Sequence, residues 1–205
     1  MTIKVIASGT ASAAVANNID SLVSNQIASR IFAKDFTIWG KEAEAESSIR
    51  LGWVHSASDS LDLVNRVLEL KQDFNTRGID RFVLCGMGGS SLAPEVITGT
   101  DSVQLVVLDS TDASQVGAAL AGDLARTAVI VSSKSGSTVE TDSQKRIFEK
   151  AFSDAGIDKT DRIIVVTDPG SPMEAAAKAD GYRIFNADPN IGGRYSALTA
   201  FGIVP

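Results

Sequence analysis

The run Val131–Thr141, V-S-S-K-S-G-S-T-V-E-T, has the residue types and spacing of an anion site. It follows an apolar β-rich stretch, Thr127–Val131, and precedes a helical pattern that starts near Ser137. A strand, a turn of small hydroxyl residues carrying one lysine, and a helix N-terminus together offer backbone N–H groups, hydroxyls and the positive end of a helix dipole. Lys134 adds a full charge. This chemistry suits the phosphate of a small molecule.

A second loop, Cys85-Gly86-Met87-Gly88-Gly89-Ser90-Ser91, raises a competing possibility. A dinucleotide fingerprint, G-x-G-x-x-G, needs a third glycine where this chain has Ser91, although Asp109 lies about where a ribose-binding acid would. A dinucleotide site has no need of the second small-residue loop at Ser133–Thr138. Two such loops converging on one sheet edge fit a monophosphate better.

The elements that must position these loops follow from periodicity. Before Gly78 the pattern is helical: Ala11–Phe32, Lys41–Trp53 and Ser58–Arg77, the last with Leu61, Val64, Leu68 and Phe74 along one face. From Asp80 onward, β-like runs alternate with helical ones. The runs Arg81–Cys85, Val103–Leu108, Thr127–Val131, Arg162–Thr167 and Tyr182–Phe185 predict five strands, apolar on both faces. Ser171-Pro172-Met173-Glu174 reads as a capping box with proline at the first helical position, and Gly181 closes that helix. The fold class is therefore α/β: a doubly wound five-stranded parallel sheet with an N-terminal helical extension. Its ligands belong at the carboxyl ends of the strands, where the loops after the first and third strands lie.

Composition narrows the function classes. The chain has 205 residues, 44% of them hydrophobic, enough for a sizeable core. A net charge of −6 argues against nucleic acid as a partner. One cysteine excludes an internal disulfide framework and fits a reducing cytoplasm. No apolar run suggests a membrane span or export. No His/Cys/Asp cluster has ligand spacing, so neither a metal nor another cofactor is expected.

Three motifs in succession, C-G-M-G-G-S-S-L-A-P, S-S-K-S-G-S-T-V-E-T and N-I-G-G-R-Y-S-A-L-T-A-F-G, resemble the signatures of the glucose-6-phosphate isomerase family from about Arg81 to the end of the chain. The segments K-D-F-T-I-W-G and R-L-G-W are similar to the branch found fused to transaldolase in some bacteria. The resemblance implies a sugar isomerase (SIS) domain over residues 79–189, after a helical segment 1–78. Residues 190–205 would begin the connection to a second SIS domain. It also implies interconversion of glucose 6-phosphate and fructose 6-phosphate through an enediolate, in a cytoplasmic homodimer.

Residue by residue, Ser90 and the amides of Gly88 and Gly89 would face the substrate, and Ser133, Lys134, Ser135 and Thr138 would hold its phosphate. Gly136 stands where many members carry a bulkier residue, which would loosen the loop. Arg194 matches the arginine that stabilises the enediolate, with Gly192 and Gly193 letting the backbone bring it close. The family's general base is a glutamate, and its ring-opening groups include a histidine and a lysine. All lie in motifs of a second SIS domain and a C-terminal tail, so the base is expected beyond Pro205. The chain then reads as an N-terminal piece of a longer isomerase, inactive alone, with apolar area exposed around Leu198–Val204. The alternative is a non-catalytic SIS module that senses a sugar phosphate, which has no use for Arg194.

Other residues have plainer readings. His55, the single histidine, lies in none of the motifs. Cys85 ends a strand and behaves as a small hydrophobe. Glu140 reads as the capping-box partner of Ser137. Glu42, Glu44 and Glu46 form a solvated helix face.

Overall fold

The computed structural model describes residues 4–205. Five helices precede the sheet: α1 (Gly9–Ser24), α2 (Ile27–Phe32), α3 (Glu44–Arg50), α4 (Ser56–Asp59) and α5 (Leu61–Thr76). Then β1 (Arg81–Gly86), α6 (Leu92–Thr100), β2 (Val106–Leu108), α7 (Ala113–Leu120), β3 (Thr127–Ser133), α8 (Val139–Asp154), β4 (Ile163–Thr167), α9 (Pro172–Asp180) and β5 (Arg183–Asn186) alternate, and a short α10 (Ala200–Ile203) follows. Every strand pairing is parallel and the order is β2-β1-β3-β4-β5. This is the predicted doubly wound sheet. The strand order reverses between β1 and β3, so the loops leaving these two neighbours open a crevice at their carboxyl ends.

Alternate residues of each strand feed two cores, one on each face of the sheet. Leu84, Ala128, Ile130, Ile164 and Val166 pack with Leu70 and Phe74 of α5 and Phe201 of α10. Val83, Cys85, Val129, Val131 and Val165 pack with Phe148 and Phe152 of α8 and Met173 of α9. Burial on both faces explains why these strands read as unbroken apolar runs. The predicted second strand is shorter than expected because the Val103 N–H donates to Thr98 O at 2.8 Å, tying that residue to the end of α6.

The buried stripe of α5 differs from the predicted one. Phe74 is buried as expected, but its buried partner is Leu70, with Leu63 and Val67 packed beside them. These sit at helical spacing on a face rotated from Leu61, Val64 and Leu68, which are largely exposed. Several apolar residues surround this helix, and the sheet selects among them. The Leu198–Val204 expectation is corrected as well. Leu198 is half exposed, but Ala200, Phe201 and Val204 are buried in the α5 core, so α10 is part of the fold rather than free apolar surface. No residue of α1 is buried.

The capping predicted for α9 is present. Ser171 Oγ accepts from the Glu174 N–H at 3.1 Å, Pro172 opens the helix, and Gly181 ends it in the left-handed conformation. The glutamate accepts from the Gly170 N–H at 2.7 Å, one residue earlier than the standard box.

Candidate functional site

The turns after β1 and β3 face each other across a cavity of about 460 Å³ at the carboxyl edge of the sheet. Gly89 and Ser90 line it from the first turn, and Lys134, Ser135 and Thr138 from the second. These five predicted residues, far apart in the chain, meet at the strand-order reversal. The remaining three predicted positions lie elsewhere. Gly88 is exposed outside the lining. Ser133 is buried beneath the turn, with its Oγ 3.0 Å from Thr138 Oγ1 and accepting from the Gly136 N–H at 3.2 Å. It supports the turn rather than facing the cavity. Arg194 is exposed and lines a neighbouring groove of about 570 Å³ with Trp53 and Tyr195, whose rings stack at 5.5 Å. Cavity and groove share Arg50 and Gly193.

Local backbone explains the two turns. A Cβ at Gly89 would lie 2.5 Å from Gly193 O, so this close contact requires glycine. Gly192 and Gly193 have open space where a Cβ would be, so the steric need falls on Gly89 rather than on the pair preceding Arg194. Gly136 does not loosen the second turn. Its φ is +67°, and a Cβ there would come 2.7 Å from Ser171 Cβ. The turn is thus locked against the start of α9. Below it, the Thr167 hydroxyl donates its single proton to Ser133 O at 2.7 Å, so Ser171 Oγ donates to Thr167 at 2.8 Å.

The capping box expected at Ser137 and Glu140 is not formed. Helix α8 starts at Val139 with Thr138 as its N-cap, and no side chain caps it. The Ser137 N–H donates instead to Ser135 Oγ at 3.2 Å. A helix whose first amides lack a side-chain acceptor, opening beside three hydroxyls and a lysine, provides donors for an anion.

Lys134 is not free. Its Nζ lies 2.5 Å from Asp168 Oδ2, and both side chains are largely buried. Burial raises the Asp168 carboxyl above its ordinary value, against the opposing pull of Lys134. Its second oxygen, Oδ1, is buried without a hydrogen-bond partner.

Sequence reasoning did not single out Asp168, Arg50, Met87, Ser196 or Phe201, all on the cavity wall. Asp168 had a positional signal, since it directly follows β4 on the same sheet edge. Arg50 lies in the R-L-G-W segment, and only the fold brings that segment to the site. His55 stands near Phe32, with ring centroids 6.4 Å apart, and does not line the cavity. Cys85 is fully buried and burial pushes its thiol up, in line with a structural role. Among the described residues, no helix is long and apolar enough to cross a membrane.

The chain as a whole is similar to known proteins. The family whose model matches the chain is described as phosphoglucose isomerase, and the match covers residues 66–205. A probable glucose-6-phosphate isomerase from Haloarcula marismortui is 38% identical over 127 residues, covering 60% of this chain and 29% of that protein. The glucose-6-phosphate isomerase of Thermus thermophilus is 32% identical over 166 residues, 78% of this chain and 39% of its own length. The crystal structure of a glucose-6-phosphate isomerase from Chlamydia trachomatis superposes with a TM-score of 0.65 at 26% identity, covering 80% of this chain and 31% of the other. The chain therefore spans between 29% and 39% of the length of these two curated relatives.

Proposed function

The chain belongs to the phosphoglucose isomerase family, and on that premise we propose that its cavity binds the phosphate of a hexose 6-phosphate. The reaction is the aldose–ketose interconversion of glucose 6-phosphate and fructose 6-phosphate. The observation that carries this reading is the convergence of Gly89, Ser90, Lys134, Ser135 and Thr138 on one cavity at the strand-order reversal. In this reading the hydroxyls of Ser90, Ser135 and Thr138 and the ammonium of Lys134 hold the phosphate, with Ser133 orienting Thr138. The amide of Gly89, on the cavity wall, faces the sugar. Arg194 approaches from the adjoining groove, where a fixed guanidinium stabilises the oxyanion that forms as a proton moves between C1 and C2.

We assign the general base to no residue of this chain. The carboxylate on the cavity wall, Asp168, is committed to Lys134. A well-placed base contributes about 10²–10⁴-fold to rate, so these residues alone bind the sugar phosphate without appreciable turnover. The same reading makes the complete enzyme a cytoplasmic homodimer serving glycolysis and gluconeogenesis. Calorimetric titration with glucose 6-phosphate tests the site. Saturable binding, absent with unphosphorylated glucose and lost in Lys134→Met, supports the reading, whereas equal affinity for glucose and glucose 6-phosphate refutes it.

A further inference from the structure

We propose that Arg50, on the last turn of α3, is the second cationic ligand of the phosphate in this cavity. The inference rests on the phosphate reading above and adds a residue from the N-terminal helical segment. Phosphate esters carry close to two negative charges at neutral pH. The lysine of the anion turn is already neutralised by Asp168 at 2.5 Å, so that turn adds no net side-chain charge. Arg194, the other arginine of the motifs, faces the neighbouring groove. Arg50 lines the cavity together with Lys134, Ser135 and Thr138. Its charge also reaches Asp168, where it opposes the effect of burial on that carboxyl.

The guanidinium is held but not used up. Nε donates to Glu46 Oε1 at 2.8 Å and Nη1 to Pro189 O at 3.2 Å, while Nη2 has no partner among the described residues. Glu46 is 71% exposed, so solvent screens its charge and little of the arginine's field is cancelled. The segment is fixed to the loop after β5 by an isolated bridge between Leu51 and Ile191 and by the Gly52 N–H, which donates to Asn190 O at 3.2 Å. Those contacts join R-L-G-W to the chain leading into Gly193, where cavity and groove meet. The arrangement suits a planar fork that grips a phosphate oxygen with Nη2 while its other donors keep it oriented.

The test is titration of the whole chain with inorganic phosphate and with glucose 6-phosphate, comparing wild type, Arg50→Gln, Arg50→Lys and Lys134→Met. Arg50→Gln is expected to weaken both ligands by about tenfold to a hundredfold, the loss of one charge-assisted hydrogen bond, and Arg50→Lys by less. In ¹⁵N-labelled wild type, the Arg50 Nε signal is expected to shift as phosphate is added. Loss of binding in Lys134→Met with wild-type affinity in Arg50→Gln and no movement of the Arg50 signal overturns this proposal and leaves the phosphate site standing. Absence of binding by the wild type overturns both.

Discussion

Lys134 Nζ sits 2.5 Å from Asp168 Oδ2, so the lysine of the anion turn is ion-paired within the protein itself. An incoming anion must share that lysine with a carboxylate or meet the carboxylate protonated. Burial raises the Asp168 pKa, which brings protonation closer to neutral pH. Sulfate remains a dianion throughout the range, so its binding isolates the protein's titration. Sulfate affinity is expected to increase as pH falls from 7 through the titration of this carboxyl. Asp168→Asn is expected to bind sulfate several-fold more tightly at pH 7 and with little pH dependence, because a negative charge beside the ligand has gone. A wild-type affinity that does not change with pH counts against this account.

The same shift bears on stability. A carboxyl whose folded pKa is raised binds its proton more tightly folded than unfolded. Its stabilising contribution is full below the unfolded value of about 3.9 and is lost as pH rises through the folded value. Asp168→Asn removes that dependence, so the variant's stability relative to wild type is expected to rise as pH increases above about 4. Urea midpoints at several pH values check the sign, and a relative loss over that interval contradicts it.

Gly89→Ala tests the contact between the first turn and the segment before Arg194. The new methyl would lie 2.5 Å from Gly193 O, and backbone must move to admit it. Overpacking of this kind costs about 1–3 kcal/mol. A thermal or urea melt is expected to show that loss, together with weaker sugar phosphate binding as the cavity wall shifts. Unchanged stability would mean that the two segments separate freely.

Thr138→Ala removes a hydroxyl that faces the cavity and also bonds Ser133 Oγ. A charge-assisted hydrogen bond to a phosphate is worth about 1.5–3 kcal/mol, or roughly ten- to a hundredfold in affinity. Stability should change much less, because no side chain caps α8 in the wild type and Thr138 contributes no cap bond to lose. Titration and a melt of the same sample separate the two effects.

The strands and their helices were legible because the central strands β3 and β4 are buried throughout and each strand ends at a turn, which leaves an apolar signal bounded by turn residues. The two anion turns were legible because small hydroxyl and glycine residues cluster there. What stayed hidden depends on tertiary contact. Nothing local in α5 says that Leu70, rather than Leu61 and Leu68, joins Phe74 against the sheet. Arg50 reaches the cavity through pairing of Leu51 with Ile191, a contact across 140 positions of chain. Phe201 drew no attention as core because a short apolar run near a motif looks the same whether it covers the sheet or lies open.

Phe201 therefore carries its own prediction. Its ring is 2% exposed, packs against the α5 side of the sheet and lies 6.0 Å from Lys134 Nζ. Phe201→Ala is expected to cost about 3–5 kcal/mol, the usual range for a deleted core phenylalanine. Urea unfolding measures this directly. A loss below about 1 kcal/mol would show that α10 is dispensable to the fold.

Arg194 separates binding from chemistry. It is exposed in the groove beside the cavity, away from Lys134, Ser135 and Thr138. Arg194→Ala is therefore expected to leave affinity for inorganic phosphate unchanged, whereas Lys134→Met lowers it. In an isomerase assay of the complete enzyme, Arg194→Ala should reduce kcat far more than it raises KM, because the charge it meets develops near the transition state. Arg194→Lys should restore part of the loss, since an ammonium supplies charge without the planar fork. A coupled assay that detects fructose 6-phosphate, run beside phosphate titrations, distinguishes the roles. Equal losses of phosphate affinity in the Arg194 and Lys134 variants would make Arg194 a phosphate ligand and remove the case for its action on the enediolate.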